Sequence, residues 1–202
     1  MSTPEFAQNN TPRRGRPLDS ALRERVFAAT LTQLSAVGYP RLEIETVAAH
    51  AGCSKTTIYR RWGSKAHLVG TAIAAEYPGP SEIDNGNLLE DLLEHMSLGP
   101  SLLKFGSLSP VAWTAMLEPE VAAFLQSEVI NRRDEAAELL VRRAIKRGEL
   151  PSDADGLTIV HTILGLGVYT KYVAGTPARK ETLRQVLAAL IALPPRLPAP
   201  SE

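Results

Sequence analysis

Between Ile44 and Trp62 the chain can hold two short helices only if it turns sharply at Gly52. Ala48 is small enough to let a second helix approach, and glycine at 52 permits the positive φ of a tight turn. Val47, Ala51, Cys53 and Ile58 fall on the inward side, and Ser54 is placed to cap the second helix. These are the requirements of a helix-turn-helix, whose second helix turns a polar face outward. That face carries Lys55, Thr56, Tyr59 and Arg60. Lysine and arginine donate to guanine O6 and N7, and a threonine methyl can touch a thymine methyl. Thr46, Thr57, Tyr59 and Lys65 sit at helix starts or flanks, where hydroxyls and ammonium groups hold phosphates. A plain helical hairpin with a solvated basic face shares the short spacing. The inward apolar set together with the basic face favours double-stranded DNA.

The rest of the chain reads as helix too. Leu22, Val26, Ala29, Leu34 and Val37 trace an amphipathic helix that starts near Asp19 or Ser20 and stops at Gly38. Ser64 caps a helix over 65–77, and Pro78-Gly79-Pro80 is the best candidate boundary. Further helices are expected over 87–98, within 102–117, over 119–147 to a stop at Gly148, over 153–174 and over 178–193. No stretch alternates as a strand does. The expected fold class is all-α with about nine helices. The expected divisions are a polar arm at 1–18, a DNA-binding domain at 19–77, a helical domain at 78–193 and a disordered proline-rich tail at 194–202.

The chain of 202 residues has equal numbers of acidic and basic side chains, 22 of each. That balance conceals a division. Residues 1–70 hold ten basic and five acidic side chains; the other twelve basic and seventeen acidic ones follow. A basic segment joined to an acidic one suggests that only the first faces a polyanion, although chance fluctuation produces such splits as well. Within the arm, Arg14-Gly15-Arg16-Pro17 resembles the core of an AT-hook, in which arginines follow a narrow minor groove. A basic tail that only attracts phosphates is the other reading. One cysteine excludes an intrachain disulfide, and histidines at 50, 67, 95 and 161 show no metal spacing. No phosphate loop, His-Glu-x-x-His or Gly-x-Ser-x-Gly is present, so no enzyme, cofactor or metal is expected. No apolar run has membrane length and no secretory leader opens the chain, so the expected compartment is the cytoplasm, with no membrane partner.

The run Gly52-Cys53-Ser54-Lys55-Thr56-Thr57-Ile58-Tyr59-Arg60-Arg61-Trp62-Gly63-Ser64-Lys65, with Leu68 after it, resembles the signature of the TetR family of transcriptional regulators. Cys53 stands where valine is common and Trp62 where phenylalanine is, and both keep an apolar group in place. Gly38-Tyr39, Leu42, Ile44 and Val47-Ala48 match the family's approach to this motif. The resemblance implies three N-terminal helices that bind DNA and a helical C-terminal domain that dimerises and usually binds a small molecule. It also implies that Lys55, Thr56, Tyr59 and Arg60 meet the major groove, while Thr46, Thr57 and Lys65 meet phosphates.

Two candidate sets remain in the C-terminal half. Leu157, Val160, Leu164 and Val168 on one helix, and Leu183, Val186, Leu187 and Leu190 on the last, recur at helical spacing. By resemblance these helices pair with their copies in a homodimer, with Gly165 and Gly167 allowing close approach. The other reading makes them internal core. Met96, Phe105, Trp113, Met116, Leu117, Phe124 and Tyr169 are scarce large side chains that can line an apolar pocket, with His95 or His161 as polar anchor; plain core is the alternative. The expected function is a repressor released from a near-palindromic operator by a small apolar or amphipathic effector. The competing expectation is a helical protein-binding scaffold with only nonspecific DNA affinity.

Overall fold

The computed structural model describes residues 20–77, 82–97 and 109–198. The arm with Arg14 and Arg16, the Pro78-Gly79-Pro80 boundary, Phe105 and the last four residues lie outside the described residues. Helix α1 (Ser20–Arg41) buries Val26, Thr30 and Leu34 at four-residue spacing, and the Thr30 hydroxyl donates to the Val26 carbonyl at 2.7 Å. It breaks at Gly38 (φ 76°), which is why Pro40 is tolerated in the turn beyond. Helix α2 (Ile44–Ala51) ends on Gly52 in the left-handed region (φ 67°, ψ 42°). Helix α3 (Lys55–Trp62) and helix α4 (Lys65–Ala74) each start on a serine whose hydroxyl accepts a backbone N–H, Ser54 from Thr57 and Ser64 from His67.

Helix α5 (Leu88–Ser97) and the short α6 (Pro110–Trp113) follow, and a 3-10 turn (Thr114–Leu117) extends α6. Helix α7 (Pro119–Leu125) passes through a π turn (Gln126–Ile130) into α8 (Asn131–Arg147), a single rod closed by Gly148 (φ 78°). Helix α9 (Gly156–Val168) also runs on through a π turn (Tyr169–Val173), and α10 (Lys180–Ala192) is the last. Counting the α7–α8 rod once, the described residues form nine helices and no β-sheet. Among them no helix is long and apolar enough to cross a membrane.

Two cores hold the chain, and the line between them is not at residue 78. The first contains Val26, Leu34, Val47, Ile58, Trp62 and Leu68 of α1–α4, and continues into Ala112, Ala115, Val121, Leu125 and Val129. The second joins α5, α8, α9 and α10 through Leu92, Met96, Leu140, Ile159, Ile163, Leu183 and Leu187. Helices α6 and α7 therefore belong by packing to the helix-turn-helix, although in sequence they follow α5. The close approaches are at Gly70, where an added Cβ would lie 2.6 Å from the Phe124 ring, and at Gly156, where it would lie 2.4 Å from Val141.

A polar network closes the second core. Asp91 is fully buried, pairs with Arg147 at 3.2 Å and accepts the Asn85 N–H at 2.6 Å. Glu149 accepts the Leu88 N–H at 2.6 Å, and Arg143 donates to the Ile83 carbonyl at 2.8 Å. Residues 194–198, expected to be disordered, are docked. Asp155 donates to the Pro195 carbonyl and Leu197 to the Asp153 carbonyl, both at 2.8 Å, and Arg196 pairs with Asp153. The Asp155 N–H satisfies a tail carbonyl and the Leu197 N–H finds a carbonyl beside the start of α9.

Candidate functional site

The outward face of α3 is fixed from behind. Ile58 and Trp62 are buried, Trp62 meets Phe27 at 5.9 Å between ring centres, and Arg25 of α1 donates to the Ala51 carbonyl at 3.1 Å. Opposite them Lys55, Thr56, Tyr59 and Arg60 are exposed and share one surface. The Lys55 ammonium pairs with Glu45 of α2 and lies 5.7 Å from the Tyr59 ring centre. That hydrogen bond raises the Lys55 pKa and lowers that of Glu45. Thr57 hydrogen-bonds with the Ser54 hydroxyl at 2.9 Å, so it completes the cap of α3. Thr46 donates to Glu43 at 3.4 Å. Lys65 donates to the Pro40 carbonyl at 3.4 Å and lies 4.5 Å over the Tyr39 ring, which ties the start of α4 to the end of α1.

A second feature lies inside the molecule. A cavity of about 280 Å³ opens between α5, α6, the α7–α8 rod and α9. Its apolar wall includes Trp113, Met116, Leu125, Val129, Val160 and Leu164; Ile130 and Val168 complete it. Its polar wall is Tyr77, His95, Arg133, Asp134 and His161. Asp134 and His161 are joined at 3.1 Å. Burial, with the positive charge of Arg133 beside it, depresses the His95 pKa to about 4, so this imidazole is neutral at physiological pH. Burial likewise raises the Tyr77 pKa and lowers that of Arg133. Both π turns flank this space, a setting in which such irregular turns recur.

Comparison with known proteins agrees with this layout. Residues 26–72 match the family model described as bacterial regulatory proteins, tetR family, and residues 82–190 match the tetracyclin repressor-like C-terminal domain. The HTH-type regulator Rv1556 of Mycobacterium tuberculosis is 30% identical over 175 residues, spanning 82% of this chain and 84% of that protein. AqdR of Rhodococcus erythropolis is 30% identical over 177 residues, 82% of this chain and 80% of its own. The chain belongs to the TetR family. It is a DNA-binding transcriptional regulator. Among solved structures, GusR of Salmonella enterica superposes with a TM-score of 0.64 at 16% identity, covering 89% of this chain and all of that one. A TetR regulator of Agrobacterium tumefaciens gives 0.62 at 19%, covering 86% and 94%.

For a TetR-family chain the structure sorts the expected residues unevenly. Of the helix-turn-helix set, Thr46 stands on α2, Lys55, Thr56, Thr57, Tyr59 and Arg60 on α3, and Lys65 at the start of α4. Glu45, the carboxylate on Lys55, was missed because its partner lies ten residues away across a turn. Of the expected pocket residues, Trp113, Met116 and His161 line the cavity. Met96 is buried in the second core, Leu117 is 72% exposed and Tyr169 is 58% exposed. Phe124 points the other way, onto α4, with its ring 5.0 Å from His67.

The subunit itself covers part of the expected dimer set. Leu183 and Leu187 are buried within the subunit, and Val160, Leu164 and Val168 line the cavity. Leu157, Val186 and Leu190 are half-buried against the second core. Helix α9 packs on α8 and α10, and α10 packs on α9 and α5, while Leu164, Val168, Val186 and Leu190 stay partly exposed. Gly167 is buried, and an added Cβ at Gly165 meets nothing within 4 Å. The cavity residues that went unnoticed, Leu125, Val129 and Arg133, recur every four positions, as do Ile130 and Asp134. That spacing was legible, but it reads equally well as ordinary core.

Proposed function

We propose that the protein is a homodimeric repressor. It reads a near-palindromic operator with paired α3 helices and releases it when a small, mainly apolar effector enters the cavity. In this reading Lys55, Thr56, Tyr59 and Arg60 meet base edges, and Thr46, Thr57 and Lys65 hold phosphates. Arg14 and Arg16 add attraction for the neighbouring groove or backbone. Lys55 exchanges Glu45 for DNA, so Glu45 sets a threshold against nonspecific phosphate binding.

One observation carries the release mechanism: the cavity lies on the seam between the two cores. Met116, Leu125 and Val129 pack with the core that holds α3, whereas Trp113, Val160, Leu164 and Val168 pack with the bundle. Phe124, next to Leu125, rests on Gly70 and His67 of α4. A ligand that pushes α7 therefore moves α4, and α4 moves α3. The π turn at Gln126–Ile130 makes that wall easier to rearrange than a regular helix. A hundredfold loss of operator affinity requires the effector to prefer the released state by about 2.8 kcal/mol.

The dimer reading rests on the faces of α9 and α10 that their own subunit leaves open. Small or apolar groups there include Thr162, Gly165, Tyr169, Ala189 and Leu193, the last of them 84% exposed. A second copy related by a two-fold axis covers this face and presents two recognition helices at once. The test is the affinity of the purified protein for duplex DNA from its own upstream region beside a scrambled duplex, at two salt concentrations. Preference of about a thousandfold is expected for a specific operator. Equal, salt-sensitive binding to both duplexes would sink the repressor reading for that site.

A further inference from the structure

We infer that the seam cavity takes an uncharged, ring-containing molecule whose hydroxyl, keto or amide-type group hydrogen-bonds to the imidazole of His95. This rests on the effector reading above and narrows its chemistry. His95 is 5% exposed and lines the cavity. Its backbone carbonyl accepts from Arg133 at 3.3 Å, but among the described residues its ring makes no hydrogen bond. A neutral imidazole offers one donor and one acceptor, and neither is taken up by the described residues. Of the charged groups of the wall, Asp134 is engaged with His161 at 3.1 Å and Arg133 with the His95 carbonyl. Among the described residues His95, like the Tyr77 hydroxyl, is a polar group of the wall whose side chain has capacity to spare.

The charge class follows from the same wall. Arg133 and Asp134 are consecutive and of opposite sign, and the imidazole of His95 is neutral. A charged ligand would leave water for a cavity with no matching net charge, which is unfavourable. Trp113, Met116, Leu125, Val129, Val160 and Leu164 present apolar surface instead. The volume of about 280 Å³ is nearly twice the ~150 Å³ of an apolar cavity that takes up benzene. That suits two fused rings, or one ring with a short chain.

Four probes of one shape separate the possibilities: naphthalene, 2-naphthol, 2-naphthoate and 2-naphthylmethylammonium, with dissociation constants from equilibrium dialysis against the full chain. 2-Naphthol should bind at least tenfold more tightly than naphthalene and more tightly than either ion. In His95→Leu the preference for 2-naphthol over naphthalene should shrink to less than twofold while naphthalene binding persists. His95→Gln, which keeps a donor and an acceptor, should recover part of it. At neutral pH His95→Leu should melt no lower than the parent, because it removes an unbonded buried imidazole. Tighter binding of either ion overturns the charge class. A naphthol preference that survives in His95→Leu, or a large loss of stability in that variant, overturns the role of His95. No binding by any probe overturns both this inference and the effector reading. Binding of 2-naphthol that depends on His95 but leaves operator affinity unchanged supports the inference and refutes release by that site.

Discussion

The two cores are built to different rules. In the first, short helices with capped ends pack on the 22-residue α1: Ser54 caps α3, Ser64 caps α4 and Gly52 makes the turn. Its interior is almost wholly apolar, and the one buried polar side chain in α1, Thr30, is satisfied within its own helix. The second core joins α5, α8, α9 and α10, with α9 passing into a π turn, and buries Asp91 and His95. A buried ionisable network gives the second core more than one way to satisfy its interior.

The sharpest way to break this contrast is a charge on either side of α10. Leu187→Asp puts an unpaired carboxylate in the second core and should cost more than about 4 kcal/mol, so no folded protein is expected in chemical denaturation. Ala189→Asp, two residues on, should unfold as the parent does and sediment as a monomer. A dimeric Ala189→Asp would remove the proposed subunit face.

On α3, Lys55→Ala with Tyr59→Ala should lower operator affinity at least a hundredfold, about 3 kcal/mol. Fluorescence anisotropy reads this, and thermal unfolding should change by less than about 0.5 kcal/mol because both side chains are exposed. A comparable loss of stability would mean that the recognition face is part of the core.

The second core should also be the acid-sensitive one. Unfolded chain takes up a proton on His95 as pH falls through about 6.5, whereas the folded protein resists until about 4. The unfolded state therefore binds more protons in that window, and stability falls as pH falls from 6.5 to 4, by about 3 kcal/mol for this group. Denaturation of His95→Leu across the same range should lack that increment of slope. An unchanged slope would show that His95 is charged in the folded protein.

Within the first core, Gly70→Ala drives a methyl to within 2.6 Å of the Phe124 ring and should destabilise by about 1–3 kcal/mol. Phe124→Leu should relieve much of this in a double-mutant cycle. The single variant should also shift operator affinity if the α4–α7 contact carries the signal. The smallest effect is expected at Gly165, whose Cβ position is open in the subunit. In a monomer Gly165→Ala should stabilise by up to about 1 kcal/mol through helix propensity. In a dimer with close helix approach it should weaken association instead, as seen in the concentration dependence of melting.

What could be read from the residues alone was what depends on neighbours in sequence. The turn at Gly52, the serine caps, the stop at Gly148 and the outward set on α3 involve partners within a few positions, and each was legible. The family motif adds to this because it lies in one uninterrupted run. Contacts across the fold were not legible. An apolar stripe at helical spacing states that a face is covered but not by what, so Val160, Leu164 and Val168 could be assigned to a partner when they line the cavity. Likewise a proline-rich tail looks unstructured until its partner, the 153–155 backbone, is brought alongside. The shared core of α1–α4 with α6 and α7, the seam cavity and the buried Asp91–Arg147 pair all join residues far apart in the chain. Hydrophobic burial is non-directional, so only the folded arrangement decides which covered faces meet and where a gap is left between them.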